Sequence, residues 1–190
     1  MQNAIVDIGM TMQVSVTDTG ELWNMYESAF VEVNALAAQR HLMTGDEFAS
    51  VMQDDRIEKW TARDDSGQPI GFGVQTTDLE SWPLISPAYF RRRWPLLYDE
   101  HRIWYVGFVC TRQRPAAPLD TFPQIIIAMS ERTRKAGGIS VMDYCGVNVE
   151  RGLPAGALRI LQRARGTTAM QTVDAQHFHA YDFGNNGFGS

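Results

Sequence analysis

Arg112 and Arg114 stand two residues apart just after the apolar run Ile103 to Cys110. A guanidinium can pair with anionic oxygens through two parallel N–H donors. Glu100 and His101 precede the same run. Either can accept a proton from a nucleophile, directly or through water; the alternative for both is an exposed strand cap. Cys110 and Cys145 each close an apolar run, where a thiolate could carry a covalent intermediate. Nothing near them in sequence supplies an activating base, so both read as small buried hydrophobes. His177 and His179 form a His-x-His pair on one face of a late segment. Zinc takes three or four protein ligands and no third stands at a telling spacing, so no metal is expected.

The chain has 190 residues, 22 acidic and 17 basic side chains, and is 44% hydrophobic. A chain of this length buries roughly 70% of its unfolded surface, so its core needs neither disulfide nor structural metal. Its two cysteines are then reduced thiols of a cytoplasmic protein. No segment approaches the ~20 apolar residues that cross a bilayer, and the residues before Arg40 contain no base, unlike a secretion signal. Residues 1–95 carry net charge −7 and residues 96–190 carry +2, which places an anionic ligand in the second half. The acidic total argues against nucleic acid, whose backbone needs a concentrated cationic face, and Arg91-Arg92-Arg93 is too short to supply one.

The elements that would position these residues follow from periodicity. Met12 to Val16 alternates as a short strand. Asp18-Thr19-Gly20-Glu21 has capping-box spacing and opens a helix with Leu22, Met25, Tyr26, Ala29, Phe30 and Val33 on one face. A second cap, Thr44-Gly45-Asp46-Glu47, opens a helix through Phe48, Val51 and Met52. Ile57 to Arg63, a turn at Asp64–Gly67, and Ile70 to Thr77 read as an antiparallel hairpin. Residues 78–101 form a long Pro- and aromatic-rich excursion with one helical turn from Pro87; such loops are functional or cover apolar surface. Arg102 to Cys110 is the most strand-like stretch. Thr121-Phe122-Pro123-Gln124 opens a helix ending at Gly137-Gly138, Ile139 to Cys145 is a strand, Leu153 to Arg165 a helix, and Thr167 to Phe183 one or two strands. The result is one α/β domain over residues 1–183, a mixed central sheet flanked by helices, with residues 184–190 as a flexible tail.

This order of elements resembles the GCN5-related N-acetyltransferase (GNAT) superfamily over most of residues 12–183. In that family a strand ends in a Gln/Arg-x-x-Gly-x-Gly/Ala loop, and the loop amides and following helix hold the pyrophosphate of acyl-CoA. Phe108-Val109-Cys110-Thr111-Arg112-Gln113-Arg114 is similar to that strand end. Arg114 takes the Gln/Arg position, while Ala117 and Leu119 fall where glycines belong. Pro115, Pro118 and Pro123 remove three amide donors from the cradle, for which Arg112 and Arg114 can compensate.

The resemblance implies an acyl-CoA N-acyltransferase fold and transfer of an acyl group from acetyl-CoA or a longer acyl-CoA to the amine of a small metabolite. The backbone of Phe108, Val109 and Cys110 would polarise the thioester carbonyl, with Arg112, Arg114, Ala117 and Asn148 also on the donor. Glu100 or His101 would take the proton from the amine, and Tyr144 would protonate the departing thiolate. Asn148 reads equally as a turn or helix-cap residue. Asp99-Glu100-His101-Arg102 after the excursion is similar to acyl-homoserine-lactone and long-chain N-acyl amino acid synthases, which implies an acyl carrier protein as alternative donor. A catalytically silent ligand-binding module on the same scaffold is the competing class. Neither nucleic acid nor membrane is expected as a partner, and the protein would be a monomer or homodimer. The decisive feature is whether the strands over 102–110 and 139–145 splay apart.

Overall fold

The computed structural model describes residues 6–83, 85–112, 120–166 and 168–181, except the side chain of residue 165. In chain order the elements are β1 (Asp7–Thr11), α1 (Val16–Leu36), α2 (Gly45–Gln53), β2 (Ile57–Arg63), β3 (Pro69–Thr76), α3 (Pro87–Arg93), α4 (Pro95–Asp99), β4 (Ile103–Thr111), α5 (Thr121–Lys135), β5 (Ile139–Val141), α6 (Gly146–Glu150) and α7 (Leu153–Arg165), with one 3₁₀ turn at Leu79–Ser81. The strands form one sheet in the order β1-β2-β3-β4-β5. The first three pairings are antiparallel, and β4–β5 is parallel.

The first strand differs from the sequence expectation. It runs Asp7–Thr11 in register with Lys59–Arg63, and the chain then leaves the sheet. The reason is a cap one turn earlier than Asp18: the Ser15 hydroxyl accepts from the Asp18 amide at 3.1 Å, so helix α1 begins at Val16. Buried Lys59 holds this crossing, donating its ammonium to the Met12 carbonyl at 2.7 Å and to the Asp54 carbonyl at the end of α2. The Thr44 cap is complete: its hydroxyl accepts from the Glu47 amide at 3.3 Å, and the Glu47 carboxylate accepts from the Thr44 amide at 2.7 Å.

Helices α1 and α2 cover one sheet face. Tyr26, Phe30, Phe48, Phe72 and Phe108 form a continuous aromatic cluster there, with neighbouring ring centroids 4.7–6.3 Å apart. The excursion closes the same core with Leu79, Trp82 and Phe90. It holds two short helices rather than one turn, and each starts on a proline, Pro87 and Pro95, where a missing N–H costs nothing. On the other face α5 places Ile125 and Met129 against Trp60, Ala62, Ile70 and Val106, and α7 packs on α5.

Three further expectations change. Asp120, not Thr121, is the N-cap residue of α5; the Thr121 hydroxyl is buried without a hydrogen-bond partner among the described residues. The strand expected over 139–145 is only three residues long. Residues 168–181 contain no strand; they run over the excursion, where the Tyr89 hydroxyl donates to the Val173 carbonyl at 2.6 Å. No described helix is long and apolar enough to cross a membrane.

Candidate functional site

The site is built where β4 and β5 part. Their register is Ile103↔Ile139, Trp104↔Ser140 and Tyr105↔Val141, and it stops there, while β4 continues to Thr111 along β3. Six residues of β4, Val106 to Thr111, therefore have no strand on their β5 edge among the described residues. Gly138 brings the two strands together at the other end. A Cβ there would lie 2.3 Å from the Arg102 carbonyl oxygen, so only glycine lets the chain enter β5 this close to β4.

A β-bulge lies at the parting point. Val74 pairs with Phe108 and Gln75 with Val106, which leaves Gly107 unmatched. The extra residue keeps Ile103 and Tyr105, and then Phe108 and Cys110, in the same aromatic-side core although their spacing is odd. Gly107 is also a packing requirement: a Cβ there would stand 2.2–2.7 Å from three atoms of the Trp82 ring. The excursion thus lays its Trp82 indole directly on the bulge, 5.9 Å from the Tyr105 ring.

Amide directions follow from one hydrogen bond. The Arg112 amide donates to the Ile70 carbonyl at 2.9 Å. Counting back by twos, the amides of Cys110 and Phe108 also point to β3, and those of Val109 and Thr111 point to the open edge. Of the three backbone positions Phe108, Val109 and Cys110, only Val109 turns its N–H toward the gap.

Tyr105 and Asp143, which the sequence reading did not single out, meet at this point. Ile139 and Val141 pack on the aromatic-side core, and Asp143 lies two residues further on the same alternation. The buried Tyr105 hydroxyl donates to its exposed carboxylate. Burial and the Asp143 charge push the Tyr105 phenol far above its ordinary value. Tyr144 is turned the other way. Its hydroxyl donates to the Met142 sulfur, which packs on the α5-side core, and its phenol is raised by burial first and then by the Asp143 charge.

The other expected residues are distributed as follows. Glu100 and His101 lie before the first rung of β4, roughly 25 Å of strand rise from Val109, and Glu100 ion-pairs with Arg102. His101 has φ of 51° and lines a separate cavity of about 280 Å³ with Tyr98, Asp99 and Arg91. The structure does not bring either residue to the parting point. The Arg112 guanidinium is tied to the Pro69 carbonyl at 2.6 Å and to Glu21 of α1. Arg114 and Ala117 lie outside the described residues. Asn148 sits half-buried inside α6.

Cys110 is 4% exposed, and burial alone pushes its thiol up to about 12, which suits a core residue and not a nucleophile. Cys145 is half-buried at the N-cap of α6. His177 and His179 are exposed with ring centroids 6.3 Å apart, and no group of three or more metal-binding side chains occurs among the described residues. A sequence signal for the bulge did exist, since a glycine inside an apolar strand marks a bulge or a close approach. Nothing local in sequence links Tyr105 to Asp143.

No family model matches the chain, and no curated protein matches it. Solved structures do. An aminoglycoside acetyltransferase from an uncultured soil metagenomic sample, in complex with sisomicin, superposes with TM-score 0.52 at 10% identity, covering 92% of this chain and 97% of that one. A tetramutant of a protein from Bacillus halodurans gives TM-score 0.53 at 11% identity, covering 90% and 99%. A second aminoglycoside acetyltransferase from an uncultured soil metagenomic sample gives 0.50 at 11%, covering 92% and 99%. At these identities the likeness is one of fold: the five-stranded mixed sheet flanked by helices is that of GNAT-type acetyltransferases.

Proposed function

We propose that the chain is an N-acyltransferase that moves an acyl group from a thioester, in the first instance acyl-CoA, to the amine of a small molecule. The observation that carries the reading is the end of β4–β5 pairing at Tyr105↔Val141. It leaves an edge whose Thr111 amide can pair with the amide-bearing arm of the donor as an added strand would, with the Val109 amide free for the thioester itself. The Val109 N–H polarises the thioester carbonyl. Amide donors preorganised on a rigid strand hold the developing oxyanion without reorganisation. Nitrogen attacks the carbonyl carbon, the C–S bond breaks, and the thiolate takes its proton from water; the Tyr144 hydroxyl, expected for this step, is held by the Met142 sulfur on the α5 side. Arg114 and Ala117 remain the candidates for the donor's phosphate groups; Arg112, tied to Glu21 and Pro69, holds α1 against the sheet.

The test is thioester-dependent amide formation, followed by thiol release and product mass, with acetyl-CoA and long-chain acyl-CoA against a panel of amines. Val109→Pro removes the N–H on the unpaired edge, where proline is tolerated, together with the side chain that packs on the α5-side core, and Val109→Ala, which keeps the N–H, is its control. The proline variant should lower kcat by about 10²–10³ while the melting temperature shows a folded domain. Turnover unchanged in this variant would reject the assignment of the donor site.

A carrier protein as donor has one observation in its favour. Arg91, Arg92 and Arg93 are exposed on α3 with no acid partner among the described residues. Arg91 and Arg93 instead lie over the Tyr98 and Trp94 rings at 4.7 and 5.1 Å. An acidic protein surface fits this patch, and a KM that rises for carrier-bound acyl groups but not for acyl-CoA when Arg91, Arg92 and Arg93 are replaced by Ala would identify it.

A further inference from the structure

The Tyr105–Asp143 pair joins two strands at the place where they separate, and no step above uses it. Asp143 lies two residues beyond the last rung, Tyr105↔Val141. It therefore stands just past the point of parting, held at the Tyr105 end of the unpaired stretch of β4 that carries the Val109 amide. The carboxylate is exposed, whereas the hydroxyl that holds it belongs to a residue only 5% exposed. The holding group is fixed in the core and its acceptor faces solvent. Tyr105 keeps its own proton because its phenol is pushed far up, so the pair carries one full negative charge beside a tyrosine ring. The exposed carboxylate attracts an alkylammonium by charge and by charge-assisted hydrogen bonds. Among the described residues Asp143 has no ion-pair partner.

We infer that Asp143, positioned by the Tyr105 hydroxyl, captures the primary ammonium of the acceptor and receives the proton that it loses before attack. This rests on the acyltransfer reading and names its acceptor class, a cationic primary amine. The step balances: R–NH₃⁺ and Asp143 carboxylate give R–NH₂ and the carboxylic acid, which returns its proton to water. The neutral amine then forms the C–N bond as the C–S bond breaks, and the second N–H proton leaves by the same carboxylate.

Two measurements separate the inference from the reading on which it rests. Binding of pentylamine and of 1-pentanol at pH 7, by ligand-observed NMR without any thioester, examines capture alone. Wild type should bind the ammonium and not the alcohol, and Asp143→Asn, which still accepts from Tyr105, should weaken the ammonium about 10- to 100-fold. Equal affinity of the two proteins for pentylamine overturns the inference whatever the activity. In turnover, Asp143→Asn and Tyr105→Phe should raise KM for pentylamine by a similar factor. Both should leave KM for hydroxylamine, which is uncharged at pH 7, within about twofold of wild type. Parallel losses for both nucleophiles would make the pair merely structural and overturn the inference, whereas captured ammonium without any amide product would refute the acyltransfer reading alone.

Discussion

Lys59 offers a prediction whose size can be worked out from one group. Its side chain is 0% exposed in the middle of β2, and burial lowers its ammonium from 10.5 to about 8 against the pull of Asp54 and Asp55. Two carbonyls, Met12 and Asp54, accept its protons, so it ties the crossing into α1 to the end of α2. A folded value below the unfolded one means that, between pH 8 and 10.5, the unfolded chain binds the proton and the folded chain does not. Stability contributed through this group therefore rises with pH across that window. The whole interval corresponds to about 3 kcal/mol, and most of it develops by pH 10. Tyr26, raised by burial to about 12, acts in the opposite sense above pH 10, because the unfolded phenol ionises first; the measurement should stop there. Urea unfolding of wild type and Lys59→Met at half-unit steps from pH 7 to 10 isolates the lysine, since every other group is common to both. At pH 7 the variant gains by losing a buried charge and loses two carbonyl partners at about 1–3 kcal/mol each, so the two proteins should lie close. The wild type should then gain about 2 kcal/mol on the variant by pH 10. A difference that stays flat, or slopes the other way, would show that Lys59 is hydrated in solution and that the tie at Met12 and Asp54 is not formed.

Gly107→Ala forces a methyl into the Trp82 ring and should cost about 1–3 kcal/mol by overpacking; thermal unfolding within 0.5 kcal/mol of wild type would mean that the indole does not rest on the bulge. Cys145 should react with a thiol reagent at pH 8 within minutes and Cys110 only on unfolding. Mass mapping of the alkylated peptides checks this, and fast labelling of Cys110 would disprove its burial. With Val109→Pro and Asp143→Asn, these variants address the open edge, the bulge and the acceptor side separately.

What could be read from the sequence was what depends on neighbours along the chain. The 57–77 hairpin, the Thr44 capping box and the helices over 121–135 and 153–165 rest on periodicity and turn chemistry, and the structure places them there. The first strand was displaced because two caps competed over seven residues: Ser15-x-x-Asp18 takes the helix start that Asp18-x-x-Glu21 also offers. The strand over 139–145 was too long in the reading because apolar residues continue to Cys145 after pairing with β4 has ended. Glu100 and His101 attracted attention by chemical type, yet their place before the first rung of β4 is fixed by the two helices of the excursion. The Tyr105–Asp143 contact spans 38 residues and depends on the parallel register, which no local pattern encodes.

Bulge and early separation act together through a single residue. If Gly107 were paired in regular alternation instead of bulged, β4 would turn residue 109 to the face that residue 105 occupies, setting Val109 where the aromatic cluster now holds Phe108. The Val109 amide would then point to β3 and be consumed there. Bulging Gly107 out of the alternation keeps Phe108 and Cys110 in the core, and the same shift delivers the Val109 and Thr111 amides to the edge that β5 vacates. Had β5 continued beside β4 to residue 145, those amides would be spent on it, and the stretch carrying Asp143 would be locked into the ladder. An unmatched glycine and a three-residue strand thus leave the donor side and the acceptor side of one gap open together, with a tyrosine hydroxyl fixing the carboxylate at its apex.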